Sequence, residues 1–188
     1  MTNRYNTREE WLLAAIEQLR PAFVDCGEDF GQPRVSLGFS PGGRSLQTAG
    51  TCWSKEASAD NTTEIFISPT VTTTTGPEGI LAVLVHELIH AAGYMDHKSG
   101  FRRLALRLGL QGKMTATVAG PDLCQRLEAI DRQLGNYPGS YLTADTRKKQ
   151  TTRLIKLECH SCGFIARASR SALENAGYPT CGCGQPMM

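Results

Sequence analysis

At 188 residues and 40% hydrophobic content, the chain has material for one core domain and a small appendage. Its formal net charge of +2 hides an asymmetry, because residues 143–188 carry seven Lys and Arg against three acids and leave residues 1–142 slightly acidic. No apolar stretch approaches the roughly 18 residues of a membrane span, and Met1 to Asn6 lack the apolar segment of a secretory signal, so a cytoplasmic protein without membrane attachment or a disulfide framework is expected.

Thr7-Arg8-Glu9-Glu10 is a capping-box pattern, and Trp11, Leu12, Ala15, Ile16 and Leu19 follow at helical spacing up to Pro21, which predicts a first helix near 8–20. Val35, Leu37 and Phe39 then alternate with Arg34, Ser36 and Gly38 before a Pro41-Gly42-Gly43 turn. Gly50–Trp53 and Glu64–Ile67 read as further short strands, and together the three make a small antiparallel sheet. A Thr-rich loop at 70–75 leads to Gly76-Pro77-Glu78, where a proline and an acid suit the first turn of a helix. That helix is apolar almost all round, from Ile80 to Ala92, and Gly93 can end it. Helical spacing resumes from Ser99 to Leu110, and again from Pro121 to Leu134, with Gly135 as the stop. Residues 143–152 hold no large apolar side chain and read as a linker between a core domain, 1–142, and a terminal module, 153–188. The fold class is α+β.

The chemistry is concentrated in His86-Glu87-Leu88-Ile89-His90 on the apolar helix. Positions four apart share a helix face, so two imidazoles can meet one metal ion with a carboxylate beside them. Buried imidazoles and a buried carboxylate need partners, and a coordinated metal answers that need. A catalytic zinc takes three protein ligands, so one more donor must come from beyond Gly93, where Asp96 and His97 are adjacent candidates. The spacing does not choose between them. Asp96 would otherwise serve as a helix cap or as an acceptor for a ligand imidazole.

Four of the seven cysteines fall in the last thirty residues: Cys159 and Cys162, then, after an 18-residue gap, Cys181 and Cys183. Two close thiol pairs at that separation predict a structural four-thiolate zinc in a zinc ribbon, which would supply much of the folding energy of so small a segment. Cys26, Cys52 and Cys124 are then reduced thiols. His160, inside the first pair, reads as exposed.

Beyond this bottom-up reading, His86-Glu87-Leu88-Ile89-His90-Ala91, then His97, Phe101 and the basic-apolar helix through Leu110, resemble the SprT-like metallopeptidases, including short versions encoded by bacteriophages. The phage versions are also similar at Gly112 to Pro121 and in a terminal ribbon. The resemblance implies a zincin-like core, His97 as the third ligand and peptide-bond hydrolysis with Glu87 as general base. It further implies two zinc ions, one catalytic and one structural. In the rival metzincin pattern Gly93 is followed by Asp96 as the third ligand, with Met114 as the one source of a methionine turn.

The strand Glu64–Ile67 precedes the metal helix, as zincin substrate strands do, and so is a candidate to pair with an extended peptide. The SprT-like resemblance also raises DNA as a partner, with Lys98, Arg102, Arg103, Arg107, Lys148 and Lys149 as candidate contacts and DNA-associated protein as substrate. A catalytically silent nucleic-acid-binding scaffold is the alternative class. Of Tyr94, Tyr137, Tyr141 and the arginines, none is singled out as the oxyanion donor.

Overall fold

The computed structural model describes residues 4–39, 48–142 and 153–188. The Pro41-Gly42-Gly43 turn and the linker with Lys148 and Lys149 lie outside the described residues. The chain divides into two compact units, residues 1–144 and 145–188. The architecture is mixed α and β, with three small sheets and five helices among the described residues, and none of these helices is long and apolar enough to cross a membrane.

In the first unit, α1 (Arg8–Val24) starts on a capping box in which Thr7 accepts from Glu10 N and Glu10 accepts from the Thr7 amide. It runs past Pro21, where the sequence suggested a stop. In the last turn a proline forfeits one helical hydrogen bond and its φ is already helical. Asp25 N still reaches the Pro21 carbonyl at 2.9 Å, and Phe23, packed edge-on against Phe30, is buried by the extra turn.

The strands β1 (Arg34–Leu37), β2 (Gly50–Trp53) and β3 (Glu64–Ile67) pair in the order β1-β3-β2. The expected antiparallel sheet is corrected here: β1 runs parallel to β3, with Val35 opposite Ile65, and only β2 is antiparallel to it, with Cys52 opposite Ile65. The physical reason is burial. Ile65 and Ile67 are wholly enclosed, so β3 takes the centre, and the earlier two strands flank it instead of forming a hairpin. The proposed pairing of Glu64–Ile67 with a peptide is overturned for the same reason, because both edges of β3 are already bonded. Among the described residues, the edge strand nearer the helix of His86 and His90 is β2.

The central element is α2 (Ile80–Ala91), with Ile80, Leu81, Leu84, Val85, Leu88 and Ile89 all buried. It begins one turn later than Gly76-Pro77-Glu78 suggested. Its first free amides are met by loop carbonyls, Ile80 N to Thr73 O at 2.9 Å and Leu81 N to Thr74 O at 3.1 Å, so the Thr-rich loop performs the capping. Any side chain at Gly79 would strike the Thr75 carbonyl.

Gly93, at φ +101°, turns the chain out of α2 and toward α3 (Ser99–Leu108), which buries Phe101, Leu104, Ala105 and Leu108 and exposes its basic face. Gly109, also left-handed, ends α3 two residues short of the expected Leu110. Leu110 instead opens a hairpin that helical spacing did not announce, β4 (Leu110–Lys113) with β5 (Ala116–Ala119). The hairpin is tied to the start of α2 by Ala119 N to Pro77 O, 2.8 Å. Helix α4 (Pro121–Leu134) follows directly, with proline at its first position, and ends at Gly135.

The second unit is small: an antiparallel pair, β6 (Ile155–Glu158) and β7 (Ile165–Ala168), followed by α5 (Arg170–Ala176). Its buried set is Leu157, Cys159, Leu173, Cys181 and Met187, and two of those five are cysteines.

A candidate metal centre and its cleft

His86, Glu87 and His90 are placed by α2, and His97 by the short connection to α3. The ligand-capable atoms of His86, His90 and His97 lie within 4.8 Å of one another. His86 Nε2 and His97 Nε2 are 3.2 Å apart. Beneath them sits Phe101, fully buried, with its ring centroid 4.8 Å from those of His86 and His90 and 4.9 Å from that of His97. One aromatic ring thus floors all three imidazoles. Phe101 is four residues beyond His97, a spacing that places it on the first turn of α3.

The outward nitrogens are also held. His90 Nδ1 donates to the Tyr94 carbonyl at 2.6 Å, and because a carbonyl only accepts, the neutral ring must leave Nε2 unprotonated. His86 Nδ1 lies 2.8 Å from Thr117 Oγ1 on β5. Tyr94 is itself secured, its hydroxyl donating to Glu28 at 2.6 Å and its ring lying where any side chain at Gly100 would intrude. These contacts fix the turn that carries His97.

Burial favours uncharged imidazoles. It pushes His86 down to about 3, with the neighbouring His90 and His97 adding to the effect, and it lowers His90 as well. Neutral imidazole is the ligand form. Glu87 is 5% exposed, and burial pushes its carboxyl up to about 8. A cation beside it would oppose that shift by favouring the carboxylate. The donor set therefore fits a metal ion: three imidazole nitrogens converge, and a buried carboxyl group sits one residue from the first.

The position of Glu87 depends on β2. A Cβ built on Gly50 would lie 2.7 Å from Glu87 Oε1 and 2.8 Å from its Cγ, so strand and helix approach this closely only because residue 50 has no side chain. Nothing in the spacing of Gly50 marked it as part of the site.

Asp96 takes a different place. Its carboxylate is exposed, accepts from Lys98 N at 3.2 Å and pairs with Lys98 Nζ at 3.2 Å, which makes it a local brace at the start of α3. The Lys98 partner holds its pKa below the usual carboxylate range. Among the described residues of the first unit, the metal-competent group is the three histidines without Asp96.

The histidines and Glu87 open into a cleft of about 810 Å³. The backbone of β2, Thr72 and Thr73 of the capping loop, and Thr115 to Val118 of the hairpin wall it. A second hollow of about 590 Å³, walled by Ser54 to Glu56 and Asn61 to Thr63, shares His90 and Met95 with it. No tyrosine lines the cleft: Tyr94 is committed to Glu28, and Tyr137 and Tyr141 border a separate cavity with Arg8.

Of the basic residues singled out as DNA contacts, Lys98, Arg102, Arg103 and Arg107 lie exposed along α3. Three have internal partners, Lys98 with Asp96, Arg107 with the Cys26 carbonyl at 3.0 Å, and Arg103 with the Tyr94 side chain.

In the second unit the four thiols converge. Cys159 Sγ is 3.4 Å from Cys183 Sγ, Cys162 Sγ is 3.5 Å from Cys181 Sγ, and all four sulfurs lie within 4.8 Å of one another. The turns that present them are tight: Gly163 N reaches the Cys159 carbonyl and Gly184 N the Cys181 carbonyl, each at 2.8 Å with a left-handed glycine. The backbone N–H of Cys162 pulls the Cys159 thiol down to about 6. His160 is exposed and outside the cluster.

Compared with known proteins, the chain matches the SprT-like family over residues 16–119, from within α1 to the end of β5. That span includes the three histidines, Glu87, Phe101 and Thr117 and excludes the cysteine cluster. No curated relative and no solved structure matches the chain.

Proposed function

The chain belongs to the SprT-like family, and from that premise we propose that it is a zinc-dependent endopeptidase with a zincin-like core. The single observation that carries the reading is the convergence of His86, His90 and His97 beside a buried Glu87 at the floor of an open cleft. His86, His90 and His97 would hold the ion. When bound, zinc supplies a water of lowered pKa, about 7, and polarises the scissile carbonyl. Glu87, as the carboxylate that a cation beside it would favour, takes the proton of the attacking water and passes it to the leaving amine. The cleft and the hollow that both border His90 give an extended peptide room along β2.

The cysteine unit is, in the same proposal, a zinc ribbon whose ion is structural, since four sulfurs close the tetrahedron and leave no position for water. We propose DNA-associated proteins as the substrate class. Its support is the exposed basic face of α3 together with the seven basic residues of 143–188.

One experiment tests these parts together: zinc content and protein cleavage, with and without single-stranded DNA, for the wild type, Glu87→Gln, His97→Ala and Asp96→Ala. Zinc at both candidate sites is expected for the wild type, for Glu87→Gln and for Asp96→Ala, with one site lost in His97→Ala. Glu87→Gln should lose roughly 10²–10⁴ in turnover. Normal cleavage by that variant would refute the mechanism. Loss of zinc in Asp96→Ala but not in His97→Ala would return the metzincin frame. Cleavage indifferent to DNA removes the DNA-directed part, and no cleavage under any condition favours a scaffold.

A further inference from the structure

We infer that Thr117 is a positioning residue of the histidine site, holding His86 in the one tautomer that can bind a metal. The inference rests on the proposed metal site and adds to it a residue from the hairpin β4–β5.

An imidazole that binds a metal through Nε2 must carry its proton on Nδ1, and a neighbouring acceptor decides whether it does. For His90 the question is settled by the Tyr94 carbonyl, which can only accept. His86 has no such carbonyl; its Nδ1 meets a hydroxyl at 2.8 Å, and a hydroxyl can either accept or donate. The other side of the ring resolves the ambiguity. His86 Nε2 faces His97 Nε2 at 3.2 Å and points into the cluster shared with His90, where the ion would sit. With the proton on Nε2 the ring could not serve that cluster; with the proton on Nδ1, Thr117 accepts and the nitrogen facing the other imidazoles is free.

The hairpin has the anchorage this role needs. Ala119 N bonds to Pro77 O at the entrance to α2, and Gly120 N to Gly109 O at the end of α3, so β5 is tied to the helices on which His86 and Phe101 sit. Thr117 is half-buried between them. A β-branched residue in a strand has a restricted χ1, so its hydroxyl is held in place and not free to swing into the cleft. Valine has nearly the same shape without the acceptor, and serine keeps the acceptor without the methyl.

The test is zinc affinity by chelator competition on the full chain, for wild type, Thr117→Val and Thr117→Ser, alongside the ¹⁵N signature of the His86 tautomer in metal-free protein. The wild type should show the Nδ1-protonated form. Thr117→Val should bind zinc at the histidine site roughly 10–100-fold more weakly and show mixed tautomers, while Thr117→Ser stays close to wild type. Equal affinity in all three, a serine variant as weak as valine, or an Nε2-protonated His86 in the wild type would each overturn the role. A wild-type chain that binds no zinc at the histidines would instead sink the metal-site reading beneath it, which keeps the two failures apart.

Discussion

The two candidate metal sites are built in opposite ways. The histidine site is a small part of a large unit: twenty-six buried apolar residues, from Trp11 to Leu134, hold α2, α3 and the sheet whether or not an ion is bound. The ligands are presented by finished elements, and their outer nitrogens are tied to Tyr94 and Thr117. The cysteine site is a large part of its unit's interior, with two cysteines among five buried residues. One site is placed by a fold, and the other has to make one. The difference decides what metal removal should do and where a reactive position can be left open.

The most severe break of that contrast is to remove one of the four clustered cysteines. Cys159→Ser, or a chelator at neutral pH, should abolish amide-exchange protection over β6 and β7 and leave that of α1, α2 and β3 in place. Structural zinc contributes roughly 10–16 kcal/mol in small metal-folded modules, as much as the whole stability of an ordinary domain, so the second unit has no reserve. Persistent protection in β6 and β7 would mean that Leu157, Leu173 and Met187 suffice, and the contrast would fall.

Gly50→Ala sharpens the other side of it. The added methyl meets Glu87 Oε1 and Val83 Cγ1, each at 2.7 Å, and must displace the base, its helix neighbour or the strand. A base misplaced by about an ångström costs on the order of 10² in turnover. Zinc content and exchange protection should stay near wild type while kcat falls; an unchanged kcat would show that Glu87 is aligned by something other than the β2 backbone.

The smallest effect is on stability against pH in chelated protein, followed by thermal melting of the first unit. Glu87, raised from 4.5 to about 8, stabilises fully below 4.5, and its contribution is lost as pH rises through 8. His86, lowered from 6.5 to about 3, stabilises fully above 6.5, and its contribution is lost as pH falls toward 3. Between 4.5 and 6.5 the slopes of Glu87 and His86 oppose each other, and His90, also lowered by burial, adds to the loss on the acid side. These groups therefore place the optimum toward the upper end of that window, with an alkaline decline from Glu87 on the order of 1.4 kcal/mol per pH unit. Glu87→Gln should flatten the alkaline limb. If the alkaline limb survives that substitution, Glu87 does not titrate in the chelated fold as its burial implies.

Much of this was legible in the chain because it is local. The i, i+4 spacing of His86 and His90, the capping box at Thr7, the glycine stops at Gly93 and Gly135, and the thiol pairs at 159/162 and 181/183 depend on neighbours within a turn or two. Helices α1 to α4 were readable for that reason, although Pro21 and Pro77 misplaced one boundary each: proline's cost depends on which hydrogen bonds surrounding backbone already supplies.

What only the tertiary structure decided is everything that joins distant segments. Periodicity cannot say that β3 lies between β1 and β2, because strand order is set by which strand buries the most. Nor can it say that Asp96 turns to Lys98 while His97 turns to His86, two adjacent residues separated by the direction of one connection. Gly50 acts through the absence of atoms against Glu87, thirty-seven positions away, and Thr117 through a hydroxyl thirty-one positions from His86. By itself the sequence determined the candidate ligand types and the candidate base, since those are properties of side chains at helical spacing. The direction of His97, the seat of Glu87 and the partner of His86 were decided by packing, since each is a contact whose two halves share no local pattern.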